Sequence, residues 1–434
     1  MSVKSKRRAI GYVALLAVVP AILTACGGSA NTAGSNQKST STVSVSSTLP
    51  ASATVSTIQS APSTSESLTP STGASSIVDF HLLTPEFGWV LESRGLYTTN
   101  NGGTSFTDAT PSQVGSGTFL AADFLNPEFG WFAVQSGAET VAVYQTSNAG
   151  STWRELTTIS VDRAVPITGA SISIASTNHE GVLVDDGDMT IPAAYFATTA
   201  NGGATWSGGQ IAYPGQLALL GSGVDVVQVQ DGTNLLAESL DNGKTWTAVN
   251  DPPIPSGYQG DYATAVIGSL SASGKFAATL SKIGGPGNLD ATVIYRVAPS
   301  NGALSVVGVL GANTSSAATP AASFQYSHAA VLILPPGVTQ SGHSELLTSS
   351  NGGSTFSTSQ AITPPIATGL TAAQAMAGGA QSISVVRASF PDASHGWVLF
   401  ADAVCTGFKT GCSNGQLLAS TSNGGATFTP VGLG

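Results

Sequence analysis

From residue 76 onward, β-forming residues recur in short runs that are separated by turns rich in Gly, Asn and Ser. One strand–turn–strand element occurs in three places, where Phe80 leads to Phe87-Gly88-Trp89, Phe124 to Phe129-Gly130-Trp131, and Phe390 to His395-Gly396-Trp397. The residues after each Gly-Trp pair are again β-formers. This pattern predicts an inner strand that ends near the Phe, a turn, and a second strand that opens at Gly-Trp.

A second pattern, an eight-residue stretch that we call the box, recurs six times and reads Ser/Thr-x-Asp/Asn-x-Gly-x-Ser/Thr-Trp/Phe. Its amide or acidic residue and its aromatic residue are Asn101 and Phe106, Asn148 and Trp153, Asn201 and Trp206, Asp241 and Trp246, Asn351 and Phe356, and Asn423 and Phe428. We expect the Asn or Asp side chain to accept hydrogen bonds from backbone amides two residues on, and the Gly to adopt a positive φ. The aromatic residue then starts the next strand and buries a large apolar area. The box therefore predicts a hairpin turn.

The box resembles the Asp-box, or bacterial neuraminidase repeat, which joins the third and fourth strands of a β-propeller blade. Together with the Gly-Trp element it resembles the propellers of the photosystem II assembly factor family over about residues 76–434. The resemblance implies an all-β propeller of four-stranded blades. Only Asp241 keeps the family's Asp, so calcium at the boxes is disfavoured, and we expect neither metal nor cofactor. Trp246, in that same box, is expected to be among the costliest aromatic residues to remove.

The spacing of the box aromatics predicts seven blades. From Phe106 to Trp246 they lie 47, 53 and 40 residues apart, and Phe356 follows 110 residues later. The double interval indicates one blade whose box has decayed, with a remnant at 299–304, and the final interval of 72 residues contains an insertion. Seven lies within the usual range for propellers. Because the first blade supplies its own inner strand, the ring is expected to close by packing between the first and last blades.

The first 25 residues have the features of an export signal. Four basic residues precede an apolar run from Ala9 to Leu23, which is too short and wrongly flanked for a membrane-spanning helix. The stretch Leu23-Thr24-Ala25-Cys26 resembles the lipobox of bacterial lipoproteins, in which the signal is cut before the Cys and the sulfur receives a diacylglycerol. The resemblance implies a lipid on Cys26 that anchors the protein in the cell membrane, facing the extracytoplasmic side. An ordinary secretory signal with an unrelated Cys is the alternative.

Residues 26–75 form the second predicted segment, a disordered tether. Roughly half of its residues are Ser or Thr, only Lys38 and Glu66 carry charge, and no aromatic residue occurs. Such a composition cannot offset the entropy lost on folding. A flexible chain of this length spans about 40 Å root-mean-square. The propeller is expected to occupy residues 76–434.

The charge balance narrows the range of partners. After removal of the signal, ten basic residues face 24 acidic ones, which gives a formal net charge of −14. An acidic chain does not favour binding to nucleic acid through a basic patch. We therefore expect a monomer that binds a protein or glycan ligand of unknown identity.

Three further features bear on chemistry. Cys405 and Cys412 enclose six residues in the insertion of the last blade, and outside the cytoplasm a disulfide is the expected state. The stretch Asp185-Asp186-Gly187-Asp188 resembles the start of a calcium loop but lacks the closing Glu, so a solvated hairpin turn is the simpler interpretation. The five His residues never fall at metal-ligand spacing, and His395 is expected in a turn. The segment 251–258 is expected to be an exposed linker between blades four and five.

Two function hypotheses follow. Sialidases of the resembled type clamp a carboxylate with three arginines, but none of Arg94, Arg154, Arg163, Arg296 and Arg387 occurs in the Arg-Ile-Pro context. We assign no catalytic residue and favour a non-catalytic recognition or scaffold lipoprotein that binds through propeller loops. A diverged glycan-active hydrolase is the alternative, and it requires two facing carboxylates at the mouth of the channel.

Overall fold

The computed structural model describes residues 77–433 except for 94, 162–165, 188–192, 222, 230–235, 250–251, 259–261, 268–270, 283–288, 312–320, 325–329, 335–343, 358–359, 363–382 and 405–412. The signal, the tether, Cys26, Cys405 and Cys412 lie outside the described residues. Within the described part of the chain, no helix is long and apolar enough to cross a bilayer.

The described residues form 28 strands in seven four-stranded antiparallel sheets, each built from four consecutive strands. The first four sheets comprise β1 Ile77–Leu82, β2 Gly88–Glu92, β3 Gly95–Thr99 and β4 Thr107–Asp108; β5 Thr118–Phe124, β6 Gly130–Gly137, β7 Thr140–Thr146 and β8 Arg154–Ser160; β9 Ile167–Ser176, β10 His179–Asp186, β11 Ala194–Thr199 and β12 Ser207–Ile211; β13 Gly215–Leu219, β14 Asp225–Val229, β15 Leu236–Ser239 and β16 Thr247–Val249. The last three comprise β17 Tyr262–Ile267, β18 Lys275–Lys282, β19 Leu289–Val297 and β20 Leu304–Gly311; β21 Ala321–Ser323, β22 Ala330–Leu334, β23 Glu345–Ser349 and β24 Gln360–Ala361; β25 Ile383–Ser389, β26 Gly396–Val404, β27 Ser413–Thr421 and β28 Thr429–Pro430.

The core consists of seven apolar clusters, and each cluster joins two consecutive sheets. The cluster between sheets 2 and 3 contains Trp131 and Val182, for example, and the one between sheets 4 and 5 contains Val226 and Phe276. A seventh cluster joins sheet 7 back to sheet 1, so the sheets form a closed ring. This arrangement is a β-propeller, and the expected all-β fold is confirmed.

The ring closes without a strand shared between its ends, because sheets 1 and 7 are each built from one continuous segment. Apolar packing seals this seam: Phe80 and Leu82 of sheet 1 lie in one cluster with Trp397 and Leu399 of sheet 7. Polar contacts also cross it, including a hydrogen bond from the backbone N–H of Leu82 to Ser389 Oγ at 2.8 Å. The first and last sheets therefore pack as the sequence predicted.

The inner strand of sheet 1 runs two residues further than expected. Leu82 pairs with Gly88 as Phe124 pairs with Gly130, whereas Phe80 pairs with Val90. The inner strand therefore ends at Phe124 in sheet 2 and two residues after Phe80 in sheet 1. Phe80 lies eight residues before Gly88, but Phe124 only six before Gly130, so the longer spacing places two more residues on the strand.

Candidate functional site

All six boxes lie in the turn between the third and fourth strands of a sheet. In the first box, Asn101 Oδ1 accepts hydrogen bonds from the backbone N–H of Ser105 at 2.9 Å and from the hydroxyl of Thr99 at 2.8 Å. The Thr99 hydroxyl oxygen in turn accepts the N–H of Gly103, whose φ is +96°. The amide acceptor thus bonds a residue four positions on, which corrects the expected spacing of two.

Asp241 makes the same turn with one more bond than its amide counterparts. Its Oδ1 accepts the backbone N–H groups of both Lys244 and Thr245, and its Oδ2 accepts the Thr245 hydroxyl at 2.7 Å. These bonds favour the charged carboxylate and hold the pKa of Asp241 below its ordinary value, although burial opposes the shift. The decayed box forms a turn as well, between β19 and β20, with Gly302 at a φ of +70°.

The box aromatics are buried to different depths. Trp153 and Trp206 are 5% and 7% exposed, whereas Phe106, Trp246, Phe356 and Phe428 are only partly buried. Trp153 Nε1 donates across the interface to the carbonyl of Ala109 in the preceding sheet, but Trp246 Nε1 donates within its own turn to Gly243. The sequence predicts that Trp246 is among the box aromatics whose removal destabilises the protein most. Its partial burial contradicts that prediction, and we expect the removal of Trp153 to cost more.

Polar side chains line a cavity of about 440 Å³ at the centre of the ring. Because neighbouring residues of a strand point to opposite faces, alternate residues of each inner strand face this channel. These residues are Asp79 and His81 of β1, Asp123 of β5, Ser171 and Ser173 of β9, Gln216 of β13, Ser323 of β21, and Arg387 and Ser389 of β25. Among the described lining residues, the charged and imidazole groups all lie on sheets 7, 1 and 2, on one side of the channel.

Arg387 and Asp79 pair across the seam. The Arg387 guanidinium donates to Asp79 Oδ1 at 2.7 Å and lies 5.8 Å from the centre of the Phe80 ring. The two side chains remain 33% and 26% exposed to the channel. Burial raises the pKa of Asp79, and Arg387 opposes that shift. Burial, with a smaller contribution from Arg387, lowers the pKa of His81 to about 4, so His81 is neutral at pH 7.

Asp123 joins sheet 2 to sheet 3. Its Oδ1 accepts the N–H of Phe124 at 2.9 Å, and its Oδ2 accepts the N–H of Ile174 on the next inner strand at 3.2 Å. Burial raises the pKa of Asp123 to about 7 despite these two bonds, and the charge of Asp79 adds to the shift. Asp123 is therefore poised between its two protonation states near neutral pH.

The channel serines make the same kind of link between sheets. The hydroxyl oxygens of Ser171 and Ser173 accept backbone N–H groups of β13 at 3.0 and 2.9 Å, and Ser323 Oγ accepts the N–H of Phe390 at 3.0 Å. A hydroxyl that accepts in this way keeps its own hydrogen for donation. The wall therefore presents hydroxyl donors on sheets 3 and 6, which flank the charged side.

Outside the channel, two predictions from the sequence are wrong. Asp185 and Asp186 lie in strand β10 rather than in a solvated turn, and Asp186 Oδ1 accepts the N–H of Ala193. The segment 252–258 is not simply exposed, because Ile254 and Tyr258 pack against the core between sheets 4 and 5. His395 does lie in a turn, where its N–H donates to Asp392 Oδ1. No cluster of three metal-ligating side chains occurs in the described ranges.

A second cavity, of about 530 Å³, lies beside sheet 2 between residues 113–118 and the β6–β7 hairpin. It is larger than the channel cavity, but its lining contains no carboxylate, histidine or basic side chain. The channel combines converging polar groups with perturbed pKa values, which are the usual marks of a functional site. We therefore take the channel as the candidate site.

The sequence motifs did not single out the four groups that define the channel chemistry. The motifs place Asp79 and Asp123 only within the repeated strand elements, and Arg387 bears only on the comparison with sialidases. The signal available was the alternation along each inner strand, which places every second residue on the channel wall. This alternation does not reveal which residues meet, because partners such as Asp79 and Arg387 lie 308 residues apart in the chain.

No protein-family model matches this sequence, and no curated protein matches it significantly. Solved structures with a similar chain fold include YCF48 bound to D1 peptide, at 14% identity and a TM-score of 0.45, covering 76% of this chain and 92% of that one. The GH74 enzyme of Niastella koreensis is similar at 14% identity and a TM-score of 0.46, covering 82% of this chain and 66% of that one. The six-bladed Aleuria aurantia lectin is similar at 11% identity and a TM-score of 0.34, covering 64% and 92%.

Proposed function

We propose that this protein is a non-catalytic recognition lipoprotein that is held outside the cytoplasm by a lipid on Cys26 and binds a protein or glycan at its channel. The observation that carries this proposal is the engagement of both channel carboxylates. Both oxygens of Asp123 accept backbone N–H groups, and Asp79 pairs with Arg387. A glycosidase needs one carboxyl group to protonate the leaving oxygen and a second to attack or to activate water. Groups that already hold neighbouring strands together are better suited to a rigid binding wall.

A glycan hydrolase is the second candidate, and one observation favours it. Asp123 has its pKa raised to about 7 beside the carboxylate of Asp79, and such a pair is what general acid catalysis requires. In that mechanism, Asp123 would be the proton donor and Asp79 the ionised partner.

The recognition proposal predicts that the purified protein releases no reducing sugar from a panel of soluble glycans. It also predicts that protein recovered from membranes carries a co-purifying partner, which Arg387→Gln loses. Arg154→Gln is the matched control, because Arg154 lies on β8, away from the channel lining, and its guanidinium donates to Gln145 Oε1. Thermal melting confirms that each variant is folded. Sugar release by the unchanged protein that disappears in Asp123→Asn would replace the recognition proposal with the hydrolase.

The anchor has its own test. Cys26→Ser should shift nearly all of the protein from the membrane fraction to the medium, because two acyl chains are required for stable attachment. Immunoblots of fractionated cells measure the distribution. The double variant Cys405→Ser/Cys412→Ser is the control and should stay in the membrane, since we propose that those two cysteines form a disulfide. Retention of Cys26→Ser at the unchanged level would exclude the lipid anchor.

A further inference from the structure

Two carboxylates occupy a position that three other sheets keep as glycine. In sheets 1, 2 and 7, the second strand opens with a glycine that pairs with the first residue of the box, in the pairs Gly88–Thr99, Gly130–Thr146 and Gly396–Thr421. In sheet 3 the residue paired in this way is Glu180, and in sheet 4 it is Asp225. A Cβ at Gly130 would overlap the ring of Phe124 at the end of β5, and a Cβ at Gly396 would overlap the ring of Phe390 just after β25. Sheets 3 and 4 thus bury a carboxyl group near the place where their neighbours bury an aromatic ring.

Both carboxyl groups are fully buried and lack hydrogen-bond partners. Glu180 and Asp225 are each 0% exposed, and none of their four carboxyl oxygens has a partner among the residues that the structure describes. Burying an ionised carboxylate without a partner is so unfavourable that such a group retains a proton instead. A protonated carboxyl group is neutral and can occupy this space at a much lower energetic cost.

The two groups lie at consecutive interfaces on either side of sheet 3. Glu180 shares its face of β10 with Val182, which packs in the cluster between sheets 2 and 3. Asp225 shares its face of β14 with Val227, which packs in the cluster between sheets 3 and 4. The interface around Glu180 also contains Trp131, whose buried Nε1–H lacks an acceptor. Both interfaces therefore contain buried polar atoms without hydrogen-bond partners among the described residues.

The titratable neighbours of these groups are few. His179 of sheet 3 faces Asp225, with Nε2 at 3.9 Å from Asp225 Oδ1, and its side chain is 18% exposed. Asp241, in the box turn of sheet 4, repels a charge on Asp225. Burial, with a smaller contribution from Asp241, raises the pKa of Asp225 to about 7, and burial alone raises that of Glu180 to about 7 and lowers that of His179. His179 connects the buried Asp225 to the surface, because its side chain is partly exposed while its Nε2, which faces Asp225, is buried.

We propose that Glu180 and Asp225 are two proton-binding sites that hold sheet 3 against its neighbours, with His179 as the route by which the Asp225 site exchanges protons. With both carboxyl groups protonated, the interfaces of sheet 3 are tightly packed. When the groups ionise, each interface must admit water or shift to solvate a charge. The propeller is therefore tightest in mildly acidic surroundings and loosens at sheet 3 as the pH rises.

The direction of the pH dependence follows from proton linkage. A carboxyl group whose pKa is higher in the folded than in the unfolded chain contributes stability at low pH, which is lost as the pH rises through the folded value. For Glu180 and Asp225 that loss falls between about pH 4 and pH 7. The melting temperature should accordingly fall by several degrees from pH 4.5 to pH 8.

Neutral isosteres test the proposal. In Glu180→Gln/Asp225→Asn both side chains stay neutral at every pH, so the double variant should match the unchanged protein at pH 4.5 and melt higher at pH 8. Asp123 and Asp185 also have pKa values raised to about 7, and the lowered pKa values of His81 and His179 act in the opposite direction, so the double variant should lessen the fall in melting temperature without abolishing it. Glu128→Gln, at an exposed turn of sheet 2, is the matched control and should leave the fall unchanged.

A direct readout separates proton binding from a general effect on stability. The infrared carbonyl band of protonated carboxyl groups should be present at pH 5, weaken by pH 8, and be reduced at pH 5 in the double variant. Hydrogen exchange, corrected for its intrinsic pH dependence, should increase at pH 8 in peptides that cover β10 and β14. An equal fall in melting temperature in the double variant and the unchanged protein would overturn the proposal. So would a carbonyl band at pH 5 that is the same in the double variant as in the unchanged protein.

Discussion

Trp397→Ala is expected to destabilise the propeller by about 3–5 kcal/mol, the usual cost of removing a fully buried large aromatic side chain. Trp397 is 0% exposed and packs between Phe80, at 6.5 Å between ring centres, and Phe106, at 5.8 Å. Its Nε1 also donates to the carbonyl of Gly102 at 3.1 Å. Because no strand is shared across the seam between sheets 7 and 1, these contacts carry much of the closure. Chemical denaturation followed by fluorescence or circular dichroism measures the loss.

Two comparisons test whether the loss arises at the seam. Trp397→Phe keeps a ring in the gap but loses the hydrogen bond to Gly102 and part of the ring volume, so it should cost less than Trp397→Ala, about 1–3 kcal/mol. Trp131→Ala removes the equally buried tryptophan of sheet 2, which lies at an internal interface. Only Trp397→Ala should increase hydrogen exchange in β1 and β26 while the other sheets stay protected. Unchanged stability in Trp397→Ala would mean that packing does not close the ring.

Trp153→Ala is expected to cost about 3–5 kcal/mol, and more than Trp246→Ala. Trp153 is 5% exposed, contacts both Phe124 and Phe132, and donates its Nε1–H to Ala109 of the preceding sheet. Trp246 is only partly buried and bonds within its own turn, so removing it should cost about 1–2 kcal/mol, the value for a side chain that leaves water incompletely. Urea denaturation of both variants under one set of conditions gives the comparison.

The control for this pair is a variant that removes the hydrogen bond of Trp153 but keeps an aromatic ring. Trp153→Phe keeps most of the apolar volume and loses the bond to Ala109, and we expect it to lie between the unchanged protein and Trp153→Ala. If Trp246→Ala proved as costly as Trp153→Ala, then burial would not decide what a box aromatic contributes. The turn itself, which all boxes share, would then be the common source of the stability.

The local structure of the boxes follows from eight residues at a time, which is why the sequence predicts it. The acceptor at Asn101, its donor at Ser105 and the hydroxyl of Thr99 are all within six residues of one another. Such contacts form in the same way wherever the pattern occurs, and six repeats make the pattern visible. The distance between acceptor and donor was predicted as two residues and is four, because the side chain reaches across the whole turn rather than back to the next peptide groups.

The channel could not be predicted in the same way. Arg387 meets Asp79 only because seven sheets close into a ring, and Asp123 meets Ile174 only because sheets 2 and 3 pack side by side. The two-residue offset at Phe80 further hid which positions of the first strand are equivalent to those of the others. The offset reflects the longer spacing from Phe80 to Gly88, which is eight residues against six from Phe124 to Gly130.

By itself, the sequence determined the turns, the alternating strands and the all-β class, since these depend on hydrogen bonds and side-chain periodicity over short distances. Only the tertiary structure decided which charges share the channel, how deeply each box aromatic is buried, and that Glu180 and Asp225 lack hydrogen-bond partners among the described residues. Burial and pairing depend on groups from several sheets at once. The cost of a buried carboxyl group, and with it the pH at which it ionises, is set by neighbours that are distant in the chain.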